Sequence, residues 1–197
     1  MSAVYKVVES GTGPVTLEEA RAYLKLSEEQ VDDVVLSAIL EGATEAAESY
    51  TRRSFRENEV ELTLDEFCER IELRRDPIKT VDSVTRLVSG VATAVSASVY
   101  YLKRGVQTSE VLLADGEEWP DDADDREAAI VVAFTTGIHE RVATAKLGIL
   151  RLAAWLHENR GDCSDLSAVG FGDTVSTDAI KASGAHSFLD RLRVSRV

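Results

Sequence analysis

The sequence predicts an α+β fold: a small helical bundle, a β-rich insertion between its second and third helices, and a flexible C-terminal tail. Three observations predict it. Apolar residues recur every three to four positions over 17–53 and again over 141–160. Between these stretches the chain alternates apolar and polar residues in short runs split by turn residues. Beyond Gly161 the period fades into a stretch rich in Gly, Ser, Ala, Thr and Asp. The expected division is 1–56 with 138–163 as helical core, 57–137 as the β-rich insertion, and 164–197 as the tail.

Residues 1–15 read as an extended arm closed by Gly11, Gly13 and Pro14. Thr16 and Glu19 then form a capping-box pattern, in which hydroxyl and carboxylate each accept from the other residue's backbone N–H. A helix over 17–25 follows. Ser27-Glu28-Glu29-Gln30 repeats the pattern and is expected to open a longer helix over 29–53. Its apolar stripe runs through Val31, Val34, Val35, Ala38, Ile39, Gly42, Ala43, Ala46, Ala47 and Tyr50. Alternating runs at 59–64, 70–74 and 81–88, and β-type runs at 97–103, 109–113 and 129–135, read as strands of an antiparallel sheet or barrel. Asp76-Pro77, Gly90, Gly105 and Asp115-Gly116 are the turn signals. The third helix, 141–160, has a broad apolar surface and a stop signal at Gly161. Ile39, Ala43 and Ala46 are expected to pack against Ile149, Leu152 and Leu156.

The chain has 197 residues, 44% of them hydrophobic, and a net charge of −13. That length and composition suit a globular chain with a substantial core. The charge has the wrong sign for a protein that grips nucleic acid through its phosphates. Cys68 and Cys163 stand far apart and suggest two reduced thiols rather than a disulfide framework. No basic-then-apolar leader opens the sequence, and no run approaches the ~18 apolar residues that a membrane span requires. No membrane association is expected.

Motifs for catalysis are missing their essential partners. His139-Glu140 and His157-Glu158 each supply half of HExxH, with no second histidine four residues on. Asp121, Asp122, Asp124 and Asp125 lack the Gly and Glu positions of a calcium loop and read as a solvated connection. Gly11-Thr12-Gly13-Pro14 is followed by no Gly-Lys-Ser/Thr, so it is not a phosphate loop. Trp119 and Trp155 read as packing residues. The expectation is a protein with no catalytic residues, no metal and no cofactor.

The order of segments carries more. VTLEEARAYLKL, the 34–55 stretch ending AAESYTRRSF, IELRRDPIKTVDSVTRL, and LLADGEEWPDDADDREAAIVVAFTTGI followed by AKLGILRLAAWLHENRGD together resemble the head–tail connector family of long-tailed phages, prophages and gene transfer agents. The likeness covers most of 14–162. Arg141 departs from it, standing where the family often has proline, and Trp155-Leu156-His157 replaces the common H-x-Y. The resemblance implies an adaptor: a structural ring, twelve-fold, below the portal protein and above a stopper or tail-completion protein. Double-stranded DNA would pass through without specific binding. It implies location at the head–tail interface of the virion, after assembly in the host cytoplasm. The competing readings are another neck component, which would be more wholly β, or a small phage-encoded enzyme or regulator.

The charge reverses at the C-terminus, where residues 181–197 carry four basic residues and one acid. Phe188, Leu189, Arg191, Leu192, Arg193 and Arg196 form an apolar and basic cluster there. It is expected to dock on the portal or on a neighbouring subunit, with arginines pairing to carboxylates.

Overall fold

A computed structural model describes residues 3–27, 31–105, 108–159 and 175–194. The chain divides into two compact units, Met1–Gly11 with Arg56–Ile138, and Thr12–Phe55 with His139–Val197. It is α+β as expected.

The first unit holds the strands. They are β1 (Ala3–Ser10), β2 (Asn58–Leu64), β3 (Arg70–Leu73), β4 (Ile78–Val88), β5 (Val91–Ala94), β6 (Tyr100–Lys103), β7 (Ser109–Leu113) and β8 (Ile130–Thr136). One sheet has the order β1-β2-β8-β4-β5 and the other β3-β7-β6, and every pairing is antiparallel. In β2 and β8 alternate residues are buried, as a sheet with one covered face requires. Val60, Leu62, Val84, Ile130, Val132 and Phe134 share a core with Ile71, Leu73 and Val111 of the smaller sheet. The extended arm, expected with the helical core, belongs here instead: β1 pairs with β2 from Ala3↔Leu64 to Ser10↔Asn58. Gly11 closes that pairing by donating its N–H to Glu57 O at 2.7 Å, so closely that a Cβ at Gly11 would lie 2.3 Å from the same oxygen.

β4 and β5 form a hairpin that the alternation at 81–88 does not reveal. Ser89 and Gly90 both have positive φ, the conformation of a two-residue turn whose twist suits a hairpin. The acidic loop holds it. Asp124 accepts from the N–H of Ser89 at 2.7 Å and of Gly90 at 2.8 Å, and Asp122 pairs with Arg86. Trp119 is a packing residue, as read from the sequence. Its ring stacks on Phe67 at 4.6 Å, and its Nε1–H donates to Cys68 O at 2.9 Å.

The second unit holds α1 (Leu17–Leu24), α2 (Asp33–Thr51), α3 (Val142–Glu158), α4 (Val175–Ala182), α5 (His186–Leu189) and a 3₁₀ turn, Asp190–Leu192. The first capping box forms: Glu19 N–H donates to Thr16 Oγ1 at 3.1 Å, and Thr16 N–H to Glu19 Oε2 at 3.0 Å. The second does not set the start of α2, which begins at Asp33 because Asp32 accepts from Val34 N–H at 2.9 Å. Glu28, Glu29 and Gln30 lie outside the described residues. α2 ends where the buried Glu48 carboxylate accepts the N–H of Phe55 at 2.9 Å and the hydroxyl of Ser54 at 3.4 Å.

Ala43, Ile149 and Leu152 are fully buried in one cluster, and Ile39, Ala46 and Leu156 are partly buried against it. The described part of the C-terminal tail is a correction to the expected flexibility. Residues 175–182 and 186–192 are helical, and Ile180, Ala185, Leu189 and Leu192 are buried in the same cluster. Of the tail's small residues, Ala179 and Ala185 are buried contact residues, and Gly148 on α3 leaves the hollow that Leu189 occupies. Residues 160–174, with the Gly161 stop, lie outside the described residues. No described helix is long and apolar enough to cross a membrane.

Candidate functional site at the arginine-bearing helix end

α5 and the 3₁₀ turn bring the C-terminal cluster against the end of α2. Val194 N–H donates to Thr51 O at 3.0 Å, and Arg53 Nε–H to Leu192 O at 3.4 Å. The Tyr50 hydroxyl donates to Asp190, while the Arg193 guanidinium lies 4.9 Å from the Tyr50 ring centre. These links explain the burial of the cluster's leucines. They also separate the six residues expected to act together. Leu189 and Leu192 are core residues and are not available to an outside partner. Phe188 is half-buried, with Arg151 5.8 Å from its ring centre. Arg191 and Arg193 are exposed, and Arg196 lies outside the described residues.

What remains on the surface is cationic. Arg52 and Arg53 follow the last turn of α2, where cations complement the helix dipole. Arg141 stands exposed at the start of α3, its Nε 3.9 Å from Glu140. With Arg191 and Arg193 they make five arginines, accompanied by the acids Glu140 and Asp190. Sequence reasoning overlooked Arg52 and Arg53 as part of this end. The adjacent basic pair in YTRRSF was the available signal.

Burial, helped by the Arg53 charge, lowers the pKa of His139, and Glu140 opposes the shift. The shift favours the neutral imidazole of His139. Burial and the Asp190 carboxylate that accepts its proton raise the pKa of the Tyr50 phenol. The arrangement can bind carboxylates or phosphates and offers no nucleophile–base pair. Among the described residues no group of three or more His, Cys, Asp and Glu is placed to hold a metal ion.

The model of the phage gp6-like head–tail connector protein family matches residues 14–109. Over that span, just under half of the chain, the sequence is similar to the head–tail connector family. The span runs from α1 through α2 and across the strands to the start of β7, so the connector likeness joins both units. No curated protein matches this chain at a significant level. Solved structures match nearly its whole length. The neck of an empty gene transfer agent particle, computed with C6 symmetry, is 21% identical with a TM-score of 0.75, covering 98% of this chain and 97% of that one. The neck of the native particle, computed with C12 symmetry, is 22% identical with a TM-score of 0.71 over the same shares. A chain of the native gene transfer agent virion is 23% identical with a TM-score of 0.69, covering 98% and 96%. At these identities the likeness is one of fold.

Proposed function

We propose that this chain is the adaptor subunit of a phage-type neck: a structural, non-enzymatic ring of twelve copies between the portal protein and the stopper or tail-completion protein. The observation that carries the reading is the fold match over 98% of this chain and 97% of a neck chain, combined with the connector-family match. The adaptor is favoured over a stopper by the amount of helix, since α1 to α5 form a complete unit with their own core. A ring of twelve agrees with the C12 symmetry of a neck that shares this fold.

The charge supports a conduit. At −13 the chain repels phosphates, which suits a channel that DNA must traverse without adhering. The arginine-bearing end is the exception and supplies the portal contact in this reading, through Arg191, Arg193, Arg52 and Arg141 rather than through the buried leucines. The protein acts in the virion at the head–tail interface and assembles in the host cytoplasm. The test is co-purification of the chain with a portal protein encoded in the same genome. Wild-type chain should be retained on portal rings. Loss of retention in Arg191→Glu/Arg193→Glu, with unchanged thermal stability, would assign the contact to this end. Undiminished retention would move it elsewhere.

A further inference from the structure

α3 starts differently from the two helices before it. α1 has the Thr16–Glu19 capping box, and at α2 the Asp32 carboxylate accepts the Val34 N–H. The N-cap of α3, Arg141, makes no side-chain capping bond, and no acid stands in the first turn. His139 serves in their place. Its Nδ1 accepts the Arg141 N–H at 3.1 Å, and its backbone oxygen accepts the Val142 N–H at 3.0 Å. The histidine is itself held to the segment that follows α2. Its N–H donates to Ser54 O at 3.1 Å, and its ring meets the buried Phe55 ring edge to face, with centres 6.3 Å apart.

A backbone N–H can only donate. The Nδ1 that faces Arg141 must therefore carry a lone pair, which fixes the neutral Nε2–H tautomer of His139. A proton on Nδ1 would turn that acceptor into a donor aimed at another donor. It would also set a full positive charge against the helix end that already carries a partial one. The charged groups around the imidazole act in the same direction. Arg53, beyond α2, and Arg141, in its own segment, disfavour the imidazolium, and Glu140 favours it.

We propose that His139 is a pH-sensitive latch on the start of α3: neutral, it holds the Arg141 N–H; protonated, it lets go and frees the first turn. The latch is independent of what the arginine-bearing end binds. Burial, then the Arg53 charge, hold the folded-state pKa below the ordinary 6.5. The unfolded chain therefore takes up this proton first as pH falls. Stability from the latch is complete above the ordinary imidazole value and is lost as pH drops from there toward the folded value. Protonation also adds a cation beside Arg53 and Arg141, so the acid form of this surface is more positive and less ordered.

Two measurements on the full chain test the latch. In NMR spectra of isotope-labelled wild-type protein at about pH 7.5, the assigned His139 ring should be the Nε2–H tautomer. Hydrogen exchange then compares about pH 7.5 with about pH 5, and the protection factors of the Arg141 and Val142 amides should fall about tenfold in wild type. His139→Asn offers an amide oxygen that accepts the same N–H without titrating, and it should keep its protection at both values. An Nδ1–H tautomer at neutral pH overturns the latch. So does wild-type protection that is unchanged on acidification, or an equal loss in wild type and His139→Asn. The tautomer and the wild-type exchange are read without any variant, so a His139→Asn chain that failed to fold would not shield the latch from refutation.

Discussion

Leu189 of α5 fills the space left by Gly148 of α3: a Cβ on Gly148 would lie 2.8 Å from Leu189 Cδ2 and 2.9 Å from its Cγ. The contact joins the C-terminal helices to the core and makes residues 175–192 part of the folded unit. Leu189→Ala should cost about 2–5 kcal/mol, the range for emptying a fully buried leucine site. Gly148→Val should also destabilise by overpacking, about 1–3 kcal/mol. Urea unfolding of both variants checks this, and wild-type midpoints would show that the C-terminal helices contribute nothing to the core.

Truncation after Gly184 follows from the same contact. A loose tail could be removed without consequence. Removing Leu189 and Leu192, both in the core, should instead lower the thermal midpoint and expose apolar surface that binds a hydrophobic dye. Thermal melts with dye binding decide between these outcomes.

Glu48 holds the end of α2. Replacing it with alanine leaves the buried Phe55 N–H and Ser54 hydroxyl without that acceptor and should cost about 1–3 kcal/mol. Glu48→Gln, which keeps an oxygen in place, should cost less. Chemical denaturation of the pair measures the difference.

The capping box at Thr16 should be visible both by substitution and by pH. Thr16→Ala should cost about 1 kcal/mol. The Lys146 ammonium hydrogen-bonded to Glu19, 2.8 Å away, and then the Thr16 N–H hold the Glu19 carboxyl below its ordinary pKa. A lowered folded-state pKa gives a contribution that is present above the ordinary carboxylate range and is lost as pH falls through the folded value. Thermal melts of wild type and Glu19→Gln should therefore converge as the solution is acidified, and a gap that widens on acidification would contradict the assignment.

Much of this structure is legible in local sequence. Thr16 and Glu19 announce a helix start because capping is a matter of neighbours three residues apart. The strands of the insertion announce themselves by alternation. Long-range relationships are less visible. Ala3–Ser10 looks like an arm until Leu64 and its neighbours on β2 are beside it. Leu189 and Leu192 look like an unattached anchor because nothing near them in sequence shows the hollow at Gly148. The stripe from Val34 to Tyr50 marks α2 as apolar, but periodicity does not say which part meets the same chain. Val34 and Ala38 face outward, Leu36 and Ala43 inward. The arginine-bearing end is split among residues 52–53, 141 and 191–193, and only the fold collects them.

The proposed role is that of ring adaptor in a phage-type neck. Electron microscopy of the chain co-expressed with the portal protein of the same genome tests it most directly. The expected result is a closed twelve-fold ring seated on the portal, with an open central channel. Portal particles without added density, from cells in which the folded chain is abundant, would contradict it.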